Sequence, residues 1–218
     1  MLNENAIDEA IDSGKRKIHD AINAKRILSL RLRRQIWRAM VDPEDADTTY
    51  RHRVMLQVLC VRRVQHLWDR AFPNDGRVEE MMAITEQLIR RQISPEEAEF
   101  QSDDFLNEIY DEIENYDSIT QPAVYVADAS AHTVVSACYR NPDYNTSSTT
   151  TDDYELLPDS LEPSYACASA AAGALNWQPV EETDVAARRA FWLWYLDEAI
   201  PTVLAHYEIG RASCRERV

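Results

Sequence analysis

Hydrophobic positions along this chain recur at helical rather than strand spacing. From Ala24 to Met40, the residues Ile27, Leu28, Leu32, Ile36 and Met40 form one stripe, with Arg26, Arg31, Arg33, Arg34 and Arg38 mostly on the other faces. The pattern stops before Asp42-Pro43, as the residue preceding a proline resists the helical conformation. Thr48 or Thr49 is placed to cap a second helix running through Phe72. There Val54, Val58, Val61, Trp68 and Phe72 repeat at helical spacing, as do Met55 and Leu59. Pro73 to Arg77, with Asp75-Gly76 at its bend, reads as a turn, and Val78 to Gln92 resumes the period through Met81, Met82, Leu88 and Ile89.

Ser94-Pro95-Glu96-Glu97 combines three helix-start signals: an N-cap serine, a proline at the first helical position and a glutamate at the third. The helix it opens is predicted to reach about Tyr116, with Phe100, Phe105, Leu106, Ile109 and Ile113 inward. Asp103, Asp104, Glu108, Asp111, Glu112 and Glu114 make its outer face. Pro122 to Arg140 is rich in alanine and serine, which permits close helix packing and predicts an interior helix. Asn141 to Pro163 has no period and reads as one long loop. Tyr165 to Leu175 and Asp184 to Tyr207 complete the set, the last docking through Phe191, Trp192, Tyr195, Leu196, Ala199, Val203 and Leu204. With strand patterns scarce and no internal repeat, the expectation is an all-α protein. It is an irregular bundle of six to eight helices forming a single domain over residues 1–208, with residues 1–23 peripheral.

The domain is drawn to residue 208 because Ile209 to Val218 back-translates, codon for codon, into the reverse complement of a common short-read sequencing adapter. These ten residues are read as a non-native tail from a gene assembled out of bulk environmental DNA, with the native C-terminus at or beyond Glu208. Without the tail's three arginines and one glutamate, the formal net charge of -15 becomes -17. That charge is uneven: residues 1–70 carry 14 basic and 10 acidic side chains, residues 71–208 carry 6 and 27. Such a field repels nucleic acid and anionic lipid and attracts cationic proteins. The arginines of the Ala24 to Met40 helix are expected to pair internally with the acidic remainder. No apolar run approaches the ~20 residues needed to span a bilayer and no secretory signal opens the chain, so a cytoplasmic protein is expected.

Only Gly14, Gly76 and Gly173 precede the tail, too few for the glycine-rich loops that cradle nucleotide phosphates. Cys60, Cys138 and Cys167 lack metal-type spacing and read as buried thiols. Asp128 and His132, four apart on the interior helix, share a face; they form either a satisfied polar pair or, as an alternative, a metal or general-base site in a helical enzyme. The carboxylates from Asp103 to Asp117 recur on an outer face rather than in a cleft, and no nucleophile arrangement appears. No cofactor, no metal and no catalysis are therefore expected. The cluster FWLWYLDEAIP, Phe191 to Pro201, is expected to be core, with Trp194 the residue facing outward.

The stretch VMLQVLCVRRVQHLWDRAFPNDGRVEEMMAITEQLIRRQIS (Val54 to Ser94), followed by AVYVADASAHTVVSACY and the terminal FWLWYLDEAIP, resembles the fifth family of bacterial polymorphic-toxin immunity proteins. The pattern spans about Arg51 to Pro201, departing from it at Val78, where a second proline would follow the turn arginine. The resemblance implies an all-α protein that binds and neutralises a cognate toxin encoded beside it by non-catalytic occlusion; it carries over no defined site residues. Taken with the charge, it predicts a basic toxin as partner, engaged through Asp103, Asp104, Glu108, Asp111 and Glu112 of the acidic helix, Asp152 and Asp153 of the long loop, and Trp194. A helical scaffold or adaptor remains the other binding-protein alternative.

Overall fold

The computed structural model describes residues 2–113, 115–147, 153 and 162–205. Among them the regular structure is helical, with no strand: α1 (Glu4–His19), α2 (Leu30–Ala39), α3 (Ala46–Ala71), α4 (Arg77–Ile89), α5 (Pro95–Glu112), α6 (Thr120–Cys138), α7 (Pro163–Ala172) and α8 (Val185–Trp194). A 3-10 turn, Val180–Glu182, precedes α8, and a π-helical turn, Tyr195–Ala199, follows it. The all-α single domain read from the sequence is the fold observed. The adapter-like residues 209–218 lie outside the described residues.

Side-chain caps start α1, α3, α5, α7 and α8. Ser94 accepts from the Glu97 amide at 3.2 Å with Pro95 behind it, as its sequence predicts. α3 is capped earlier than expected: Asp45, not Thr48 or Thr49, accepts from the Thr48 amide at 3.0 Å, and Thr49 is turned instead to the Asp42 amide at 2.8 Å. α2 begins only at Leu30; before it, Asn23 bonds both the amide and the carbonyl of Ile27 and holds the chain in a bend. Gly173 ends α7 with φ +63°, the left-handed conformation that glycine adopts without a Cβ penalty. The π turn directly precedes Pro201, whose ring would meet the Asp197 carbonyl in a regular α-helix, so one widened turn absorbs it.

α6 is buried nearly all round, packed by α3, α4, α5 and α7. Its alanines and serines let those four helices approach, which places the core along its axis. Residues 1–23 are not peripheral: Ile7, Ile11 and Ile18 of α1 are in the core, and Gly14 sits so close to the terminal helix that a Cβ there would come 3.2 Å from Leu196. Lys15 joins Asp197 at 2.5 Å across the same seam. Cys60 and Cys167 are buried, and burial pushes both thiols well up; Cys138 is half-buried and pushed up to about 12 by the same cause.

Two arginines tie helix ends together around Tyr50. Arg53 of α3 donates to the carbonyls of Ser136 and Asn141, at 3.0 Å each, and to that of Tyr139, gripping the end of α6. Arg140, just past α6, donates to the Leu88 carbonyl at 2.8 Å and the Ile89 carbonyl at 3.3 Å, at the end of α4, and to Asp47 of α3 at 3.0 Å. Both guanidinium groups also lie over the Tyr50 ring, at 5.6 and 4.2 Å. Among the described residues Arg53 meets no carboxylate, and burial lowers its pKa to about 10.

Candidate functional site

The outer face of α5 follows from the stripe it buries. Ala98, Ser102, Phe105 and Ile109 face inward, which turns Asp103, Asp104, Asn107, Glu108, Asp111 and Glu112 to solvent. Asp103, Asp104 and Asp111 make no ion pair with a described residue. Glu108 and Glu112 differ: Arg77, at the start of α4, reaches Glu112 at 2.8 Å and Glu108 at 3.7 Å while also holding Asp75 at 2.6 Å. The acidic face is therefore half neutralised toward α4 and bare toward α6.

Phe100 corrects the sequence reading. Expected inward, it is 67% exposed. Phe105 lies five positions further on, which sets the two rings about 140° apart around the helix, so only one can join the buried stripe. An aromatic side chain thus stands among the carboxylates. The signal was present in the spacing: Ala98, Ser102, Phe105 and Ile109 make a complete inward stripe without Phe100.

Two grooves flank the face. One, between α4 and α5, is lined by Arg77, Glu80, Ile84, Asp104 and Glu108; the other, between α5 and α6, by Glu99, Asp103, Leu106, Tyr110, His132 and Val135. Beneath the second lie the residues read as a possible metal or general-base pair. The Tyr110 hydroxyl donates to the Asp128 carboxylate at 2.5 Å, and the His132 ring Nδ1 lies 2.7 Å from the Asp128 backbone carbonyl, not its carboxylate. Burial raises the Asp128 pKa, against the Tyr110 hydrogen bond and the His132 charge. The two side chains share a helix face as predicted but are engaged with different groups. Among the described residues no cluster of three or more His, Cys, Asp or Glu is placed to hold a metal ion.

The remaining predicted site residues separate. Asp152 lies outside the described residues. Asp153 is no surface residue: it is buried, held by Arg33 at 2.5 Å and by the Asn176 amide at 3.1 Å. A carboxylate in an aperiodic polar stretch reads as solvated, but Arg33, expected on the polar face of its helix, is itself wholly buried and draws Asp153 in. Trp194 is partly covered, its ring 5.1 Å from the Arg63 guanidinium and 5.6 Å from the Phe191 ring. The expected internal pairing of the α2 arginines is thus observed at Arg33.

These features define a class: an all-α protein with buried ionisable groups held by its own side chains and an exposed, largely acidic face on one helix. The chain belongs to a family of immunity proteins, since the family model described as immunity protein Imm5 matches residues 11–202. Membership agrees with the family that the sequence resembles, and it implies binding of a cognate toxin. No curated protein matches the chain. Among the described residues no helix is long and apolar enough to cross a membrane.

Proposed function

We propose that this immunity protein neutralises a basic cognate toxin in the cytoplasm by laying the outer face of α5 over the toxin's working surface, without catalysing a reaction and without engaging nucleic acid or membrane. The single observation that carries the surface assignment is Phe100, an exposed aromatic on the same outer face of α5 as Asp103, Asp104 and Asp111, none of which makes an ion pair with a described residue. Interfaces concentrate their energy in a few aromatic anchors, and surrounding charge selects the partner and speeds its arrival. Glu108 and Glu112, tethered by Arg77, form the side of the face that stays in fixed geometry. Asp128 and His132 serve packing in this reading.

The test is protection. Cells expressing the toxin encoded beside this gene should survive when the intact protein is co-expressed. They should lose protection when Asp103, Asp104 and Asp111 are changed together to lysine, with association slowed about tenfold or more and its salt dependence flattened. Full protection by the triple variant would move the surface elsewhere.

A further inference from the structure

A slot lies between the last turn of α2, the first half of α3 and the start of α7, walled by Trp37, Met40, Leu56 and Tyr195. Gln57 of α3 reaches into it, 3% exposed, and among the described residues neither its amide oxygen nor its amide nitrogen has a hydrogen-bond partner. A buried amide left unmatched costs about 1–3 kcal/mol for each group, so a glutamine here calls for partners that the chain does not supply. It needs at least one acceptor for its N–H and one donor for its oxygen.

The slot offers about 30 Å³ of water-sized space, room for about two water molecules. Polar groups on its walls can hold the far side of such waters. The Tyr195 hydroxyl accepts from the Trp37 indole at 2.9 Å, which leaves its own proton to donate, and Ser164 and Glu162 border the same space. We propose that the slot is a binding site for two ordered water molecules, one accepting from the Gln57 amide nitrogen and one donating to its oxygen. They bridge Gln57 of α3 to the start of α7 and to Tyr195. An apolar guest is a poor match, because it would leave the amide unsatisfied.

The experiment is a high-resolution crystal structure of the full chain, with water relaxation dispersion measured on the wild type and on Gln57→Leu. The proposal expects two ordered waters against the Gln57 amide, and a dispersion amplitude that falls by about two long-lived waters in the variant. Wild-type density with the Gln57 amide bonded to protein groups, or an unchanged dispersion amplitude in a folded variant, would overturn it. Should Gln57→Leu fail to fold, the wild-type density decides alone.

Discussion

Arg33 and Asp153 stand 120 residues apart in the chain and meet in the interior, 2.5 Å between guanidinium nitrogen and carboxylate oxygen. The arginine is wholly buried, donates to the Leu28 carbonyl at 2.8 Å and lies 3.3 Å from Glu162, while Trp37, Tyr165 and Trp192 place ring centroids 5.5–5.8 Å from it. The nearby carboxylates outweigh burial and hold its pKa above the ordinary arginine value. A cation so enclosed depends on every one of these partners.

Removing one partner should therefore hurt more than removing both. Asp153→Ala leaves a buried charge short of its main counterion and is expected to cost about 3–5 kcal/mol, read as a lower denaturant midpoint. Pairing it with Arg33→Met should recover much of that loss, because the buried cation goes with its main counterion and Glu162 keeps its hydrogen bonds from the Ser164 and Tyr165 amides. Additive losses in the double variant would contradict this account.

His52 gives the fold a pH dependence. Burial, opposed in part by Asp42 and Asp45, lowers its pKa below 6.5, so the unfolded chain takes up a proton at a pH where the folded one stays neutral. Protons bound preferentially to the unfolded state make stability rise with pH. Stability should fall as pH drops from about 6.5 toward the lowered folded value, and His52→Gln should remove that component. Denaturation midpoints measured across this window for both proteins provide the check; identical slopes would exclude His52 as the cause.

At Gly173 the effect is confined to the backbone. Among the described residues, nothing beyond its own chain neighbours and helix backbone lies within 4 Å of where a Cβ would stand, yet φ is +63°. Gly173→Ala should thus destabilise by about 1 kcal/mol through left-handed strain, without disturbing side-chain packing. A calorimetric scan that shows no loss would mean that the α7 terminus relaxes to another cap.

Phe100→Ala separates binding from stability. The ring is mostly in water, so the denaturant midpoint should move by less than about 0.5 kcal/mol equivalent. Affinity for the toxin should fall by about 2 kcal/mol, roughly thirtyfold, if Phe100 is the anchor of the interface. A titration showing unchanged affinity in the stable variant would remove it from the binding surface.

Legibility in the sequence tracked how local each cause was. The start of α5 was readable because Ser94, Pro95 and Glu97 act on one another within four residues, and α6 was readable as interior because its composition leaves no polar face to expose. α1 was missed: its buried stripe is Ile7, Ile11, Gly14 and Ile18, thinned by charged neighbours, and a glycine in a tight seam gives no hydrophobic signal. The extent of α2 was overread because Ile27 and Leu28 continue its period while Asn23 holds their backbone in a bend. Of the candidate surface, the carboxylates of α5 were legible from helical spacing. Phe100 escapes the rule that apolar residues turn inward, since its position is off the buried stripe, and the burial of Asp153 depends on a partner that no local pattern can indicate.

The grip of Arg53 on the end of α6, and of Arg140 on the end of α4, bears on how the molecule opens. Each helix end is satisfied by a side chain from another segment, and Asp47 returns the link to α3. None of the three segments can therefore fray alone without releasing backbone carbonyls of its neighbours. Amide hydrogen exchange should find the final turns of α4 and α6 and the first half of α3 opening as one unit, with a common free energy, rather than as three independent ends.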